Sequence, residues 1–135
     1  PAKPQTTAMQ YAPATQVDLT VPTSSTDIAA EFGLPVTVPS SGKLLVRTQV
    51  YLEQTGADAI YLMGLNVGSG SGDGLQRVVT GPYRGLVTAT WLWDIPVPGY
   101  SLTLYPEHFI AGTGSGTVRF GSSNGYFGSI TATPV

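Results

Sequence analysis

Between residues 44 and 53 apolar and polar side chains alternate without a break, and this is the most regular pattern in the chain. One side carries Leu44, Val46, Thr48, Val50 and Leu52, and the other carries Leu45, Arg47, Gln49, Tyr51 and Glu53. A period of two residues is typical of a half-buried β-strand and not of an amphipathic helix. We therefore predict a central strand here, preceded by a turn at residues 39–42 and a shorter strand at residues 34–38.

Shorter segments with the same alternation fill the rest of the chain, and glycine- and proline-rich turns separate them. We predict further strands at residues 16–21, 58–67, 75–80, 85–93, 100–104, 117–121 and 126–133. Thr55-Gly56 is expected to close a hairpin between the central strand and residues 58–67, and Asn124-Gly125 a second one. Pro106 is expected to end a strand, and residues 27–32 could form one helical turn. The spacing predicts an all-β, jelly-roll-like β-sandwich of about eight strands.

The composition narrows the possible partners. A chain of 135 residues suits one domain. Only 10% of its residues are charged and its formal net charge is −2, so it offers no basic field for nucleic acid. No apolar run is long enough to span a membrane, and the start lacks the apolar core of a signal peptide. We therefore expect no nucleic-acid or membrane partner and, for a complete chain without its initiator methionine, synthesis in a cytoplasm.

The first fifteen residues differ from the remainder because they show no periodicity and contain Lys3 as their one charged side chain. We predict an extended N-terminal arm over residues 1–15 and a β-sandwich domain over residues 16–135. The arm is either a disordered terminus or a segment that becomes ordered on a neighbouring subunit. In the second case Lys3, Met9 and Tyr11 would contact the partner, with Met9 and Tyr11 as apolar anchors.

Residue types that could support catalysis are sparse. His108 is the single histidine, no nucleophile elbow accompanies it, and we expect an ordinary surface histidine in a loop. Glu53 and Asp58 flank the predicted hairpin, but a hairpin tip is a poor place for a glycosidase cleft. The glycine-rich segment at residues 68–74 lacks the lysine of a phosphate loop and is interpreted as a plain loop. Trp91 shares a predicted core face with Trp93. We expect no enzymatic activity, cofactor, metal or catalytic residue.

Two stretches resemble small β-sandwich proteins of tailed bacteriophages, especially actinobacteriophages. The first is Val-Thr-Val-Pro-Ser-Ser-Gly-Lys-Leu-Leu-Val-Arg-Thr-Gln-Val-Tyr-Leu at residues 36–52. The second lies near the end of the chain and consists of residues 110–120 together with residues 128–135. The resembling proteins are head-decoration or minor tail proteins, and several look like the trimeric tumour-necrosis-factor type of jelly roll. The resemblance implies a virion structural protein that forms a homotrimer, and it does not choose between head and tail. Because the chain is short and its N-terminal arm resembles a tether, we expect a decoration protein on the exterior of the capsid, with the major capsid protein as its partner.

The side chains on the outer faces of the predicted strands are candidates for subunit contacts. This set consists of Arg47, Tyr51, Ile60, Leu62, Leu86, Leu92 and Arg119. Because charges are few, Arg47 and Arg119 could form interface ion pairs with Glu53, Asp58 or Asp94. An alternative function is a minor tail or receptor-binding module that recognises a host glycan through Tyr83, Tyr126, Phe127 or an exposed tryptophan. A carbohydrate-active enzyme on the same fold is the third hypothesis.

Overall fold

A computed structural model describes residues 6–67, 73–94 and 97–135. These residues form eleven strands and one 3-10 turn at Ser122–Asn124, and no α-helix is found among them. The strands are β1 Thr7–Tyr11, β2 Val17–Thr20, β3 Thr26–Asp27, β4 Leu34–Thr37, β5 Lys43–Thr55, β6 Ile60–Asn66, β7 Asp73–Thr80, β8 Tyr83–Asp94, β9 Ser101–Ala111, β10 Ser115–Phe120 and β11 Gly128–Pro134.

The strands build two antiparallel sheets that pack face to face as a sandwich. In the first sheet the order is β1-β11-β5-β10-β2, and β8 lies on the other side of β5. In the second sheet the order is β3-β9-β6-β7, and β4 also pairs with β9. Four strand pairs are nested within one another along the chain: β2–β10, β4–β9, β5–β8 and β6–β7. The earliest strand of this set therefore pairs with the latest one. This nesting is the winding of a jelly roll, and it confirms the predicted fold class.

Strand β5 is the centre of the first sheet, as predicted. Its whole length pairs with β8, while β11 and β10 pair in succession along its opposite edge. The five side chains predicted to face inward are all buried, including the hydroxyl-bearing Thr48. The alternation therefore identified both the strand and its buried face.

The core fills the space between the sheets. Strand β6 contributes Tyr61, Met63 and Leu65, and strand β8 contributes Val87 and Trp91, all buried as their alternation predicted. Trp93, predicted to share that face, is partly buried against the core.

Two predicted hairpins are wrong. Strands β5 and β6 belong to different sheets, so residues 56–59 carry the chain across the sandwich instead of folding it back. Around Asn124-Gly125, β10 and β11 follow one another along β5, and only Gly121 and Tyr126 form a bridge between them. In both cases the turn residues were recognised correctly, but the strand that each segment pairs with lies far away in the sequence.

Strand β9 continues through Pro106, where the sequence predicted an end. The Pro106 carbonyl accepts a hydrogen bond from the Ile28 amide at 2.9 Å. On this edge of β9, strand β4 pairs with residues 101–104 and strand β3 pairs with residues 107–108, so Pro106 lies in the gap between the two ladders. The side of Pro106 that lacks an amide hydrogen faces this gap. A proline at such a gap removes no ladder hydrogen bond. The predicted helical turn at residues 27–32 is also wrong, because Asp27 belongs to β3 and residues 28–32 contain one bend and one turn.

Part of the predicted N-terminal arm is a strand of the sandwich. Thr7–Tyr11 pairs with β11, and Met9 lies opposite the buried Ile130. The Tyr11 ring lies 4.8 Å from that of Phe120 and 5.6 Å from that of Phe32, measured between centroids. Met9 and Tyr11 therefore pack, partly buried, against the core of their own chain, and their contact with a neighbour stays a prediction. Lys3 lies outside the described residues.

Candidate functional site

The outer face of the first sheet is arranged in rows, because paired residues on antiparallel strands point to the same side. At one end Leu45 lies between Leu92 and Thr133, and in the next row Arg47 lies between Thr90 and Thr131. The third row places Gln49 between Thr88 and Ser129. We call these nine residues the leucine–threonine surface.

This surface combines exposed apolar side chains with few charges. Leu92 is 60% exposed and Leu45 is 42% exposed, although they stand side by side in the sheet. Arg47 is the single ionisable residue of the nine, and none of the ion pairs among the described residues involves it. The surface can therefore be covered by a partner with little desolvation of charge.

The other end of the same face carries an ionic and aromatic cluster. In one row Asp18, Arg119 and Tyr51 stand on neighbouring strands, and Glu53 follows Tyr51 on β5. The Arg119 guanidinium donates to Asp18 Oδ1 at 2.9 Å and to Glu53 Oε1 at 3.2 Å. Its Cζ atom lies 5.3 Å from the ring centroid of Tyr126 and 5.7 Å from that of Tyr51, within the range of cation–π contacts.

Hydrogen bonds inside this cluster shift the ionisation of its members. The bond from Arg119 lowers the pKa of Asp18, and the bond to Asp18 raises the pKa of Arg119. Desolvation raises the pKa of Tyr51, and its hydrogen bond to Glu53 adds to this effect. Arg119 was predicted to seek a carboxylate across an interface, and the structure pairs it with Glu53 and Asp18 of its own chain. Asp18 and Tyr126 were not singled out as partners of Arg119, since Asp18 is 101 residues away.

A concavity of about 410 Å³ adjoins this cluster at the end of β5 and the start of β8. It is lined by Glu53, Gln54, Thr55, Pro82, Tyr83 and Arg84. The Tyr83 hydroxyl donates to the Leu86 carbonyl at 2.8 Å, which fixes the ring beside the opening. The buried Gln54 amide donates to the carbonyls of Ala59 and Gly81, so the floor is tied to two turns. We call this concavity the Glu53 pocket.

A larger groove of about 640 Å³ lies on a different side of the molecule, between the edge strands β1 and β4. Its lining consists of Thr7, Pro35, Val36, Thr37, Val38, Pro39, Ser40, Ser101, Leu102, Thr103 and Pro134. Every lining side chain is uncharged, so this groove holds no group for acid–base chemistry.

The histidine that was expected on the surface is buried in strand β9. His108 is 2% exposed, and its Nδ1 atom lies 2.9 Å from the hydroxyl of the buried Tyr61. Burial lowers the pKa of His108 to about 4 and raises the pKa of Tyr61. The neighbouring Glu107 points to the other side of the strand and accepts a hydrogen bond from Ser25 at 3.0 Å. The surface-loop prediction for His108 is therefore wrong, since β9 continues past Pro106.

The structure divides the residues predicted for subunit contacts between two opposite faces. Arg47, Tyr51, Leu86, Leu92 and Arg119 lie on the outer face of the first sheet, and Leu86 is 54% exposed. Ile60 and Leu62 alternate with buried residues of β6, so they are half-buried on the outer face of the second sheet. One flat contact cannot use both groups at once.

The described residues contain neither a candidate group of metal ligands nor a candidate membrane-spanning helix. Within residues 6–67, 73–94 and 97–135, no three or more histidine or acidic side chains are grouped so that they could hold a metal ion. No helix in the described part of the chain is long and apolar enough to cross a membrane. The predicted loop at residues 68–74 falls mainly outside the described residues.

These observations define the class of the molecule as a jelly-roll β-sandwich with an ionic and aromatic cluster at one end of the outer face of its first sheet. No protein-family model matches the sequence, and no curated protein matches it.

Solved structures with a similar course of the chain include three from infectious bursal disease virus. The structure of the Gx strain has 8% sequence identity to this chain and a TM-score of 0.46. The crystal structure of the VP2 subviral particle has 9% identity and a TM-score of 0.47. The structure of the Gt strain has 11% identity and a TM-score of 0.44. The matches cover 98% of this chain but only 38%, 38% and 36% of the respective viral chains. At such low identity, the likeness says nothing about what this chain binds.

Proposed function

We propose that this chain is a non-enzymatic structural protein of a bacteriophage virion that decorates the outer surface of the capsid as a trimer. The observation that carries the proposal is the leucine–threonine surface, whose nine residues include two exposed leucines and one charged side chain, with Lys43 and Asp94 in the adjoining row. The resemblance of residues 36–52 and 110–120 to phage head and tail proteins supports the virion setting.

The mechanism of such a protein would be adhesion. Covering the exposed parts of Leu45 and Leu92 removes apolar area from water, at about 25 cal/mol for each Å². Threonine hydroxyls around them can exchange water for hydrogen bonds across an interface at little net cost. A trimer that also contacts several capsid subunits would multiply weak contacts, because each additional contact forms within an already bound assembly.

The segment before β1 is the candidate for contact with the major capsid protein. Because Thr7–Tyr11 pairs with β11, removing residues 1–15 would take a strand from the first sheet. A deletion that tests the role of Lys3 should therefore end at residue 5.

The test is the copy number of this protein relative to the major capsid protein in purified virions, measured by quantitative mass spectrometry with isotope-labelled peptides. The proposal predicts hundreds of copies in a fixed ratio to the capsid lattice. A handful of copies in each virion would contradict a decoration role and would indicate a component of the tail.

A further inference from the structure

The Glu53 carboxylate, near the end of strand β5, is contacted by three side chains. Its Oε1 atom accepts hydrogen bonds from Tyr51 at 3.1 Å and from Arg119 at 3.2 Å, and Arg84 Nε lies 3.3 Å away. Its Oε2 atom has one longer contact, 3.4 Å, to Arg119. The carboxylate is therefore fixed in orientation, while Oε2 keeps capacity to accept a hydrogen bond from a ligand.

An aromatic wall stands beside this fixed acceptor. Tyr83 and Pro82 line the Glu53 pocket, and Thr55, whose hydroxyl lies 3.1 Å from that of Ser115, is also part of its lining. Tyrosine rings with a fixed orientation present a flat apolar surface at small entropic cost, and a polar rim supplies direction. An apolar ring face beside carboxylate and hydroxyl groups suits a ligand that is itself apolar on one side and hydroxylated at its edge.

The charges around the pocket balance. Asp18 and Glu53 carry two negative charges, and Arg84 and Arg119 carry two positive charges, and all four are joined in one network. Arg119 contacts both carboxylates, and the Nε atom of the exposed Arg84 faces Glu53, so each guanidinium already has a carboxylate beside it. The balance favours an uncharged ligand.

We propose that the Glu53 pocket binds a neutral saccharide. A pyranose ring would lie against Tyr83, and vicinal hydroxyls would donate to Glu53 Oε2. The volume of about 410 Å³ falls in the usual range of small-molecule sites, about 300 to 1,000 Å³. The leucine–threonine surface lies at the other end of the sheet, so this site does not depend on the proposed assembly.

The proposal is tested with the full-length, isotope-labelled protein by two-dimensional NMR titration. The probes are glucose, galactose, mannose and N-acetylglucosamine, each raised to about 50 mM, well above the dissociation constant of about 1 mM typical of weak ligands. We expect at least one of them to shift the amide signals of residues 53–55, Tyr83 and Arg84. No shift with any of the four probes, or shifts confined to other residues, would overturn the proposal.

Two variants and one charged probe sharpen the result. Tyr83→Ala removes the ring but leaves the four-residue ion network, and it should weaken binding at least tenfold. Leu92→Ala, on the same strand at the far end of the sheet, should leave binding unchanged. Glucuronate differs from glucose by one carboxylate, and tenfold tighter binding of glucuronate would overturn the assignment to neutral ligands.

Discussion

His108 illustrates how one residue in the core can make the stability of the whole chain depend on pH. It lies between the sheets, within hydrogen-bonding distance of the Tyr61 hydroxyl, with the buried Met63 directly opposite on β6. Because burial disfavours the charged imidazolium, the pKa of His108 falls to about 4. The unfolded chain, whose histidine titrates near pH 6.5, therefore binds more protons than the folded chain between these two values.

We predict that acidification destabilises the protein through this residue. The free energy of unfolding should fall as the pH drops below about 6.5, and the loss should approach about 3 kcal/mol near pH 4. His108→Gln keeps a polar partner for Tyr61 but removes the titrating group. Urea unfolding of both proteins at pH 7 and pH 4.5 measures the effect, and the variant should lose about 2 kcal/mol less than the wild type. Equal losses in the two proteins would contradict the prediction.

At the scale of elements, two loops hold the corner of the sandwich where the chain crosses between sheets. A Cβ atom on Gly112 would lie 2.1 Å from the backbone carbonyl oxygen of Asp58, and Gly112 has a φ of +80°. The loop after β9 therefore packs backbone to backbone against the crossover between β5 and β6. This contact requires glycine for its space as well as for its φ angle.

We predict that Gly112→Ala lowers the free energy of unfolding by at least about 2 kcal/mol more than Gly125→Ala does. Gly125 has a similar φ of +77°, but a Cβ atom there would have nothing within 4 Å. The matched pair separates the cost of the left-handed conformation from the cost of the clash. Thermal or urea unfolding of the two variants gives the comparison, and equal destabilisation would show that the two loops move apart easily.

At the scale of the whole molecule, the leucine–threonine surface is the proposed site of contact between subunits. We predict that Leu92→Lys prevents trimer formation, because a lysine at the contact must lose its hydration without a partner. Leu75→Lys is the control, since Leu75 is also exposed but lies on β7 of the second sheet. Sedimentation velocity at micromolar concentration should show trimers for the wild type and the control, and monomers for Leu92→Lys. A monomeric wild type, or a trimeric Leu92→Lys, would contradict the prediction.

The sequence alone determined which residues of the long strands β5, β6 and β8 face the core. The alternation in β5, β6 and β8 follows from the period-two geometry of a single strand, which requires no knowledge of its neighbours. The all-β class followed from the same local patterns and from the turn residues between them. The exposure of Leu86 and Leu92 could be predicted in the same way, because both alternate with buried positions of β8.

Only the tertiary structure decided which strands are partners. Nested pairing joins β2 with β10 and β5 with β8, so a turn signal such as Thr55-Gly56 marks a crossover as readily as a hairpin. For this reason the network of Asp18, Glu53 and Arg119 could not be predicted, since three strands far apart in sequence meet there. The burial of His108 and the inclusion of Thr7–Tyr11 in the sheet have the same cause. Pairing depends on contacts across the whole chain, whereas alternation depends only on the geometry of one strand.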